Sequence, residues 1–119
     1  MSQIANTKRY DLEERCLNFA RRVNEYVNAL PKSITNVENG RQLARSAGSV
    51  GANYIEANES LSKKDFVMRV KISKKESKES RYWLMLSEPK EESMKEKELL
   101  IEETVELMKI FGSILEKSK

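Results

Sequence analysis

From Asp11 onward the apolar positions Leu12, Cys16, Phe19, Ala20, Val23, Tyr26, Val27 and Leu30 recur at i, i+3, i+4, i+7. That spacing puts one buried stripe on an α-helix, and Pro31 closes it, because the residue before a proline is pushed out of the α region. Residues 1–9 are polar and expected to fray. A polar connection follows over 32–39, with Ser33, Thr35 and Asn36 as turn formers, Ile34 and Val37 expected to tuck beneath it, and Asn39 or Gly40 as the next cap. The second predicted helix, about 40–60, has an odd composition. Leu43, Ala47, Val50, Tyr54, Ala57 and Leu61 share one face, Ala44, Gly48, Gly51 and Ile55 line its flank, and Arg45, Ser49, Ala52 and Glu56 run opposite. Each interior glycine costs about 1 kcal/mol relative to alanine, so close approach of a neighbouring helix is expected to offset it.

Ser62-Lys63-Lys64-Asp65 reads as a capping box, which leaves a very short link and makes the second and third helices antiparallel neighbours. The third helix, about 63–87, has the core face Phe66, Val70, Ser73, Ser77, Ser80 and Leu84. Three serines in place of leucines imply close packing against the small residues of the second helix. Their hydroxyls can bond the carbonyl four residues back. Arg69, Ile72, Glu76, Glu79 and Trp83 form a second stripe, and Pro89 breaks the helix. In the fourth helix, about 95–117, Leu100, Thr104, Leu107, Phe111 and Ile114 form the core line. Ile101, Val105, Met108 and Leu115 widen it beyond what one bundle face requires. The pattern predicts an all-α, single-domain, antiparallel up-down-up-down four-helix bundle. A continuous coiled coil is a poor alternative, since Pro31, Pro89 and the glycines break any heptad register.

Composition narrows the chemistry. The 119 residues suit one domain, and 34% charged residues suit helices with solvated outer faces. The lone cysteine, Cys16, sits among apolar neighbours and reads as an inert core thiol. Histidine is absent, which excludes Ser-His and Cys-His catalysis, imidazole zinc sites, the Glu-x-x-His di-iron site of some bundles and helical ribonucleases with an Arg-to-His motif. No apolar run resembles a signal peptide or a membrane span, so a cytoplasmic protein without a membrane partner is expected. Charge is uneven: residues 62–87 hold eight cations against three carboxylates, whereas 88–119 hold six against nine.

The run RSAGSVGANYIEANES (Arg45 to Ser60), followed by KKDF (Lys63 to Phe66) and RYWL (Arg81 to Leu84), closely resembles a family of bacterial four-helix bundle proteins. These were first noticed as reading frames within intervening sequences of large-subunit ribosomal RNA genes and were once labelled ribosomal-protein-like. YDLEERCLNFARRV (Tyr10 to Val23) fits the family's first helix, so the match covers nearly the whole chain. The resemblance implies a ring assembly, commonly a homopentamer. It also implies kinship with accessory proteins of diversity-generating retroelements, which bind nucleic acid and a reverse transcriptase. It implies no enzymatic activity. The charged SEPKEES loop departs from more apolar relatives and weakens any expectation of an interface there.

Two constellations are candidates. Lys64, Lys71, Lys74, Lys75, Lys78 and Arg81 cluster roughly opposite the third helix's core face, where they can neutralise phosphates of RNA or DNA without sequence preference. The ordinary alternative is a solvated lysine face. Only Tyr82 lies near them, so base stacking is not expected. Arg45, Ser49, Asn53, Glu56, Arg69, Glu76, Glu79 and Trp83 form the second group, joined by Asn58. No nucleophile, histidine or phosphate loop accompanies its carboxylates, so it reads as an interhelical or interface network rather than an acid–base or metal site. Trp83 with Tyr82 reads as a packing or interface anchor. Gly48-x-x-Gly51 lies inside a helix and is not a phosphate loop. The expected function is therefore a non-enzymatic homo-oligomer, without cofactor or metal, that associates with nucleic acid; the alternative is a protein-interaction scaffold.

Overall fold

Four helices carry the fold in the computed structural model, which describes residues 2–119 and their side chains from Asp11 onward. They are α1 (Ser2–Asn28), α2 (Ile34–Asn58), α3 (Lys63–Leu86) and α4 (Met94–Lys117), with a 3-10 turn at Glu91–Ser93 before the last. The tertiary pairs run in opposite directions along every seam. Gly40 lies against Val27 and Leu30 while Gly51 lies against Cys16, so α1 and α2 are antiparallel. Ser46 meets Ser80 and Asn53 meets Arg69, so α2 and α3 are too. Lys97 reaches Ser87 while Lys74 lies beside Gly112, which reverses α4 on α3. The result is the up-down-up-down bundle.

Each helix contributes the stripe its periodicity predicts. Cys16, Phe19 and Val23 from α1, Leu43 and Val50 from α2, Val70 and Leu84 from α3, and Leu100, Leu107 and Phe111 from α4 are enclosed. Fully burying side chains of this size stabilises the fold by about 1.5–3 kcal/mol each. Ser73, Ser77 and Ser80 are also fully buried, and none is left unpaired. Ser77 and Ser80 donate to the carbonyls of Ser73 and Glu76, four residues back. Ser73 instead crosses to α2 and donates to the Val50 carbonyl at 2.8 Å. Small side chains thus let α2 and α3 come close enough for one helix to bond the backbone of the other.

Several boundaries and contacts depart from the sequence expectations. α1 starts at Ser2, well before Asp11; Met1 lies outside the described residues. α2 starts at Ile34, not near Gly40, because Ser33 caps it by accepting a hydrogen bond from the Asn36 amide. Ile34 and Val37 do not tuck under the loop, being 90% and 48% exposed. The buried residue there is the polar Asn36. Leu61 is fully exposed rather than in the core, because α2 has ended by Asn58 and the link of four residues to α3 carries it outward. The glycine flank of α2 does not meet the α3 serines. Gly51 and Gly40 face α1, where an added Cβ would stand 3.0 Å from Cys16 Cβ or Val27 Cγ1, while Gly48 faces open space. The Ser62 cap on the Asp65 amide forms as expected.

The SEPKEES loop is pinned rather than loose. Asn36 donates through Nδ2 to the Pro31 and Glu88 carbonyls and accepts from the Glu88 amide, at 2.9–3.0 Å. Tyr26 Oη sits 2.6 Å from the buried Ser87 Oγ, which in turn donates to Leu84. Both loops at this end are therefore one hydrogen-bonded unit.

Candidate nucleic-acid interface

Lys64, Lys71, Lys75 and Lys78 are exposed and follow one another by seven, four and three residues along α3, so they form one outward line. Lys74 is also exposed but leans toward α4, with Nζ 3.5 Å from the position a Cβ on Gly112 would take. Lys71, Lys74, Lys75 and Lys78 border a groove of about 390 Å³ floored by Met108 and Leu115. The cations thus flank the widened apolar arc of α4, instead of standing simply opposite the core. Arg81 departs from the expected cluster: it is half-buried, and its Nε is enclosed with no hydrogen-bond partner among the described residues.

What distinguishes this face is that its lysines form no direct ion pair among the described residues. Among the described residues, no carboxylate lies within ion-pair distance of Lys64, Lys71, Lys74, Lys75 or Lys78. Of the α3 carboxylates, Glu76 and Glu79 reach toward α2, and Glu79 also lies close enough to Lys75 to feel its charge. Glu76 and Glu79 both accept from Arg45 of α2, and the Trp83 indole donates to Glu79 at 3.0 Å. The Trp83 N–H, then Arg45, and finally the charge of Lys75 hold the Glu79 carboxyl below the usual carboxylate range.

The polar network splits into two bridges between α2 and α3. One joins Arg45, Glu76, Glu79 and Trp83. The other runs from Ser49 through Asn53, whose Oδ1 accepts from Arg69 at 3.0 Å while its Nδ2 donates to Ser49. Glu56 belongs to neither: its side chain is exposed, and its carbonyl accepts from Ser60. Asn58 also points elsewhere and donates to Glu13 of α1. Trp83 is a network member, and Tyr82 packs against it in a T-shaped arrangement with ring centroids 5.0 Å apart.

Two ion pairs were missed from the sequence. Arg15 pairs in a fork with Glu103, and Arg22 with Glu96, across the α1–α4 seam. A signal was present: each cation repeats after seven residues, and so does each acceptor, so two helices in antiparallel register bring both pairs together. Cys16 is enclosed, and burial pushes its thiol up to about 12, which removes it as a nucleophile. No cluster of three or more His, Cys, Asp or Glu side chains suited to a metal occurs among the described residues. No described helix is long and apolar enough to cross a membrane.

An α-helical bundle with polar bridges between α2 and α3 and a row of lysines without direct ion pairs defines the class: a helical bundle with a charged outer face and no assembled catalytic group among the described residues. Residues 8–113 match the 23S rRNA-intervening sequence proteins, and the chain belongs to that family. The fold is similar to the crystal structure of a protein of unknown function from the S23 ribosomal protein family of Bacteroides thetaiotaomicron. That similarity has 28% identity and a TM-score of 0.73 over 92% of this chain and 98% of the other. No curated protein is significantly similar.

Proposed function

We propose that this chain is a non-enzymatic, homo-oligomeric bundle protein of the cytoplasm that associates with RNA or DNA through the outer face of α3. The observation that carries the reading is the line Lys64, Lys71, Lys75 and Lys78, with Lys74 beside it, left without a carboxylate partner while Glu76 and Glu79 are engaged by Arg45. Unpaired lysines on one face release counterions when they meet phosphates, so binding strengthens steeply as salt falls. Repetition in a ring, the homopentamer the family resemblance suggests, would multiply the effect through effective concentration. The exposed Met85, Leu86, Met94 and Leu99 supply apolar surface for such an assembly, or for a partner such as a reverse transcriptase.

The test is filter binding to structured RNA and duplex DNA across a salt series. Four phosphate contacts per chain predict a slope of log K against log salt of about −3.6 for duplex DNA. The triple charge reversal Lys71→Glu, Lys75→Glu, Lys78→Glu is expected to abolish binding, and retention of wild-type affinity would remove the assigned face. Light scattering checks assembly, and a monomer mass at micromolar concentration would refute it. A scaffold reading is favoured by one feature, the apolar floor of Met108 and Leu115 between the lysines, which suits an acidic amphipathic helix. It predicts salt-sensitive binding of such a peptide and none of nucleic acid.

A further inference from the structure

Tyr82 is 57% exposed, and it continues the lysine line: Lys71, Lys75, Lys78 and Tyr82 are spaced by four, three and four residues on the outer face of α3. At 1.5 Å per residue the line runs about 17 Å from Lys71 to Tyr82. An exposed tyrosine is ordinarily free to change rotamer, but this one is braced. Its ring stands in a T-shaped arrangement with that of Trp83, at 74° and 5.0 Å between centroids. The Trp83 indole is fixed by its hydrogen bond to Glu79, and Glu79 is fixed by Arg45 from the neighbouring helix. A ring held in place by three successive contacts, half its surface open, beside a row of unpaired cations, combines the two elements of a single-strand binding site: a phosphate track and a stacking platform.

We propose that the α3 face takes single-stranded nucleic acid in preference to duplex, with an unpaired base stacked on Tyr82 and its neighbouring phosphates beside Lys78, Lys75 and Lys71. This departs from the expectation from sequence that stacking plays no part, and it rests on the nucleic-acid reading given above. In a duplex the π-faces of the bases are covered by their neighbours, so the platform has nothing to accept. In a single strand they are available, and no sequence preference is required. Because the ring is already ordered, little rotamer freedom is lost on binding.

The test uses fluorescence anisotropy of the full chain with a dye-labelled, unstructured single strand of about 12 nucleotides and a duplex of the same length, at low salt. The wild type is expected to bind the single strand at least about fivefold more tightly, the lower bound for stacking one base on an aromatic ring. Tyr82→Ala is expected to remove that margin while leaving duplex affinity unchanged. Tyr82→Phe keeps the ring and is expected to keep the margin. The Lys71→Glu, Lys75→Glu, Lys78→Glu variant is expected to weaken both ligands. Equal affinity for both ligands, or a single-strand margin that survives Tyr82→Ala, would overturn the platform and leave the basic face standing. Absence of binding to either ligand would overturn both. Loss of affinity for both ligands with Tyr82→Ala would assign the residue a structural role and also refute the proposal.

Discussion

Replacing Asn36 by alanine removes the residue that ties the α1–α2 loop to the α3–α4 loop. Its amide makes three hydrogen bonds of 2.9–3.0 Å, to the Pro31 carbonyl and to both backbone groups of Glu88, and only 4% of its surface is exposed. A typical intramolecular hydrogen bond contributes about 0.5–1.5 kcal/mol net, and a stranded buried group costs about 1–3 kcal/mol. Glu88 itself is exposed, so water can reach part of what is stranded. The loss is therefore nearer the sum of three ordinary bonds, about 2–4 kcal/mol. For a domain of this size that is about 8–20 °C in Tm. Urea unfolding followed by Trp83 emission and by circular dichroism at fixed protein concentration measures it, the concentration being held because assembly contributes to apparent stability. Asn36→Asp sharpens the test. A carboxylate still accepts from the Glu88 amide but cannot donate to either carbonyl, so it is expected to be no better than alanine at neutral pH. A loss below about 0.5 kcal/mol for Asn36→Ala, or wild-type stability for Asn36→Asp, would show that the two loops are not held together by this side chain.

Gly48→Ala is expected to stabilise the chain by about 0.5–1 kcal/mol, since nothing lies within 4 Å of the added methyl. Gly51→Ala sets a Cβ 3.0 Å from the enclosed Cys16 Cβ and is expected to destabilise; equal midpoints for the two variants in urea would contradict the packing described. Cys16 is expected to resist alkylation at pH 8 and to react at the rate of global unfolding, because burial holds the thiol protonated; labelling in native buffer at the rate of a free thiol would refute this. The depressed Glu79 carboxyl contributes stability that is fully present above the ordinary carboxylate range and lost as pH falls through its lowered folded value. Glu79→Gln is expected to flatten the acid limb of the stability profile, and an unchanged limb would assign it to other carboxylates.

The core was readable because period dictates face: Leu12 to Leu30 and Leu100 to Phe111 repeat with little to confuse them. Errors arose where two local signals competed. Asn39-Gly40 resembles a helix start, yet Ser33 caps six residues earlier, and the polar Asn36 is buried because its three partners lie in backbone loops that a periodicity reading does not see. Leu61 continues the apolar spacing of α2, but spacing carries no information about where the helix stops. In the candidate site, the lysine line was visible from α3 alone. Its apolar border was not, because that depends on which side of α3 receives α4. The contact of Tyr82 was not visible for the same reason: counting aromatics along the chain says nothing of a ring beside a tryptophan whose carboxylate partner is anchored on another helix.

The longest run of the family signature, Arg45 to Ser60, lies mostly on α2 and the candidate surface on α3, and the Arg45 bridge connects them. Arg45 is half exposed, with side-chain exposure of 50%, and Glu79 is 32% exposed. An ion pair in that setting contributes about 1 kcal/mol or less to stability, too little to explain its place by folding energy. Its geometric effect is larger. By engaging Glu76 and Glu79 it draws both carboxylates toward α2, although Glu79 still feels Lys75, and by fixing Glu79 it fixes Trp83 and hence Tyr82. The serine seam makes this possible: with leucines at Ser73, Ser77 and Ser80 the helices would stand further apart, and Arg45 would have to stretch across a wider gap to reach the α3 carboxylates. The small residues between α2 and α3 therefore set the distance at which Arg45 of α2 can engage Glu76 and Glu79 of α3 and hold Trp83 through Glu79.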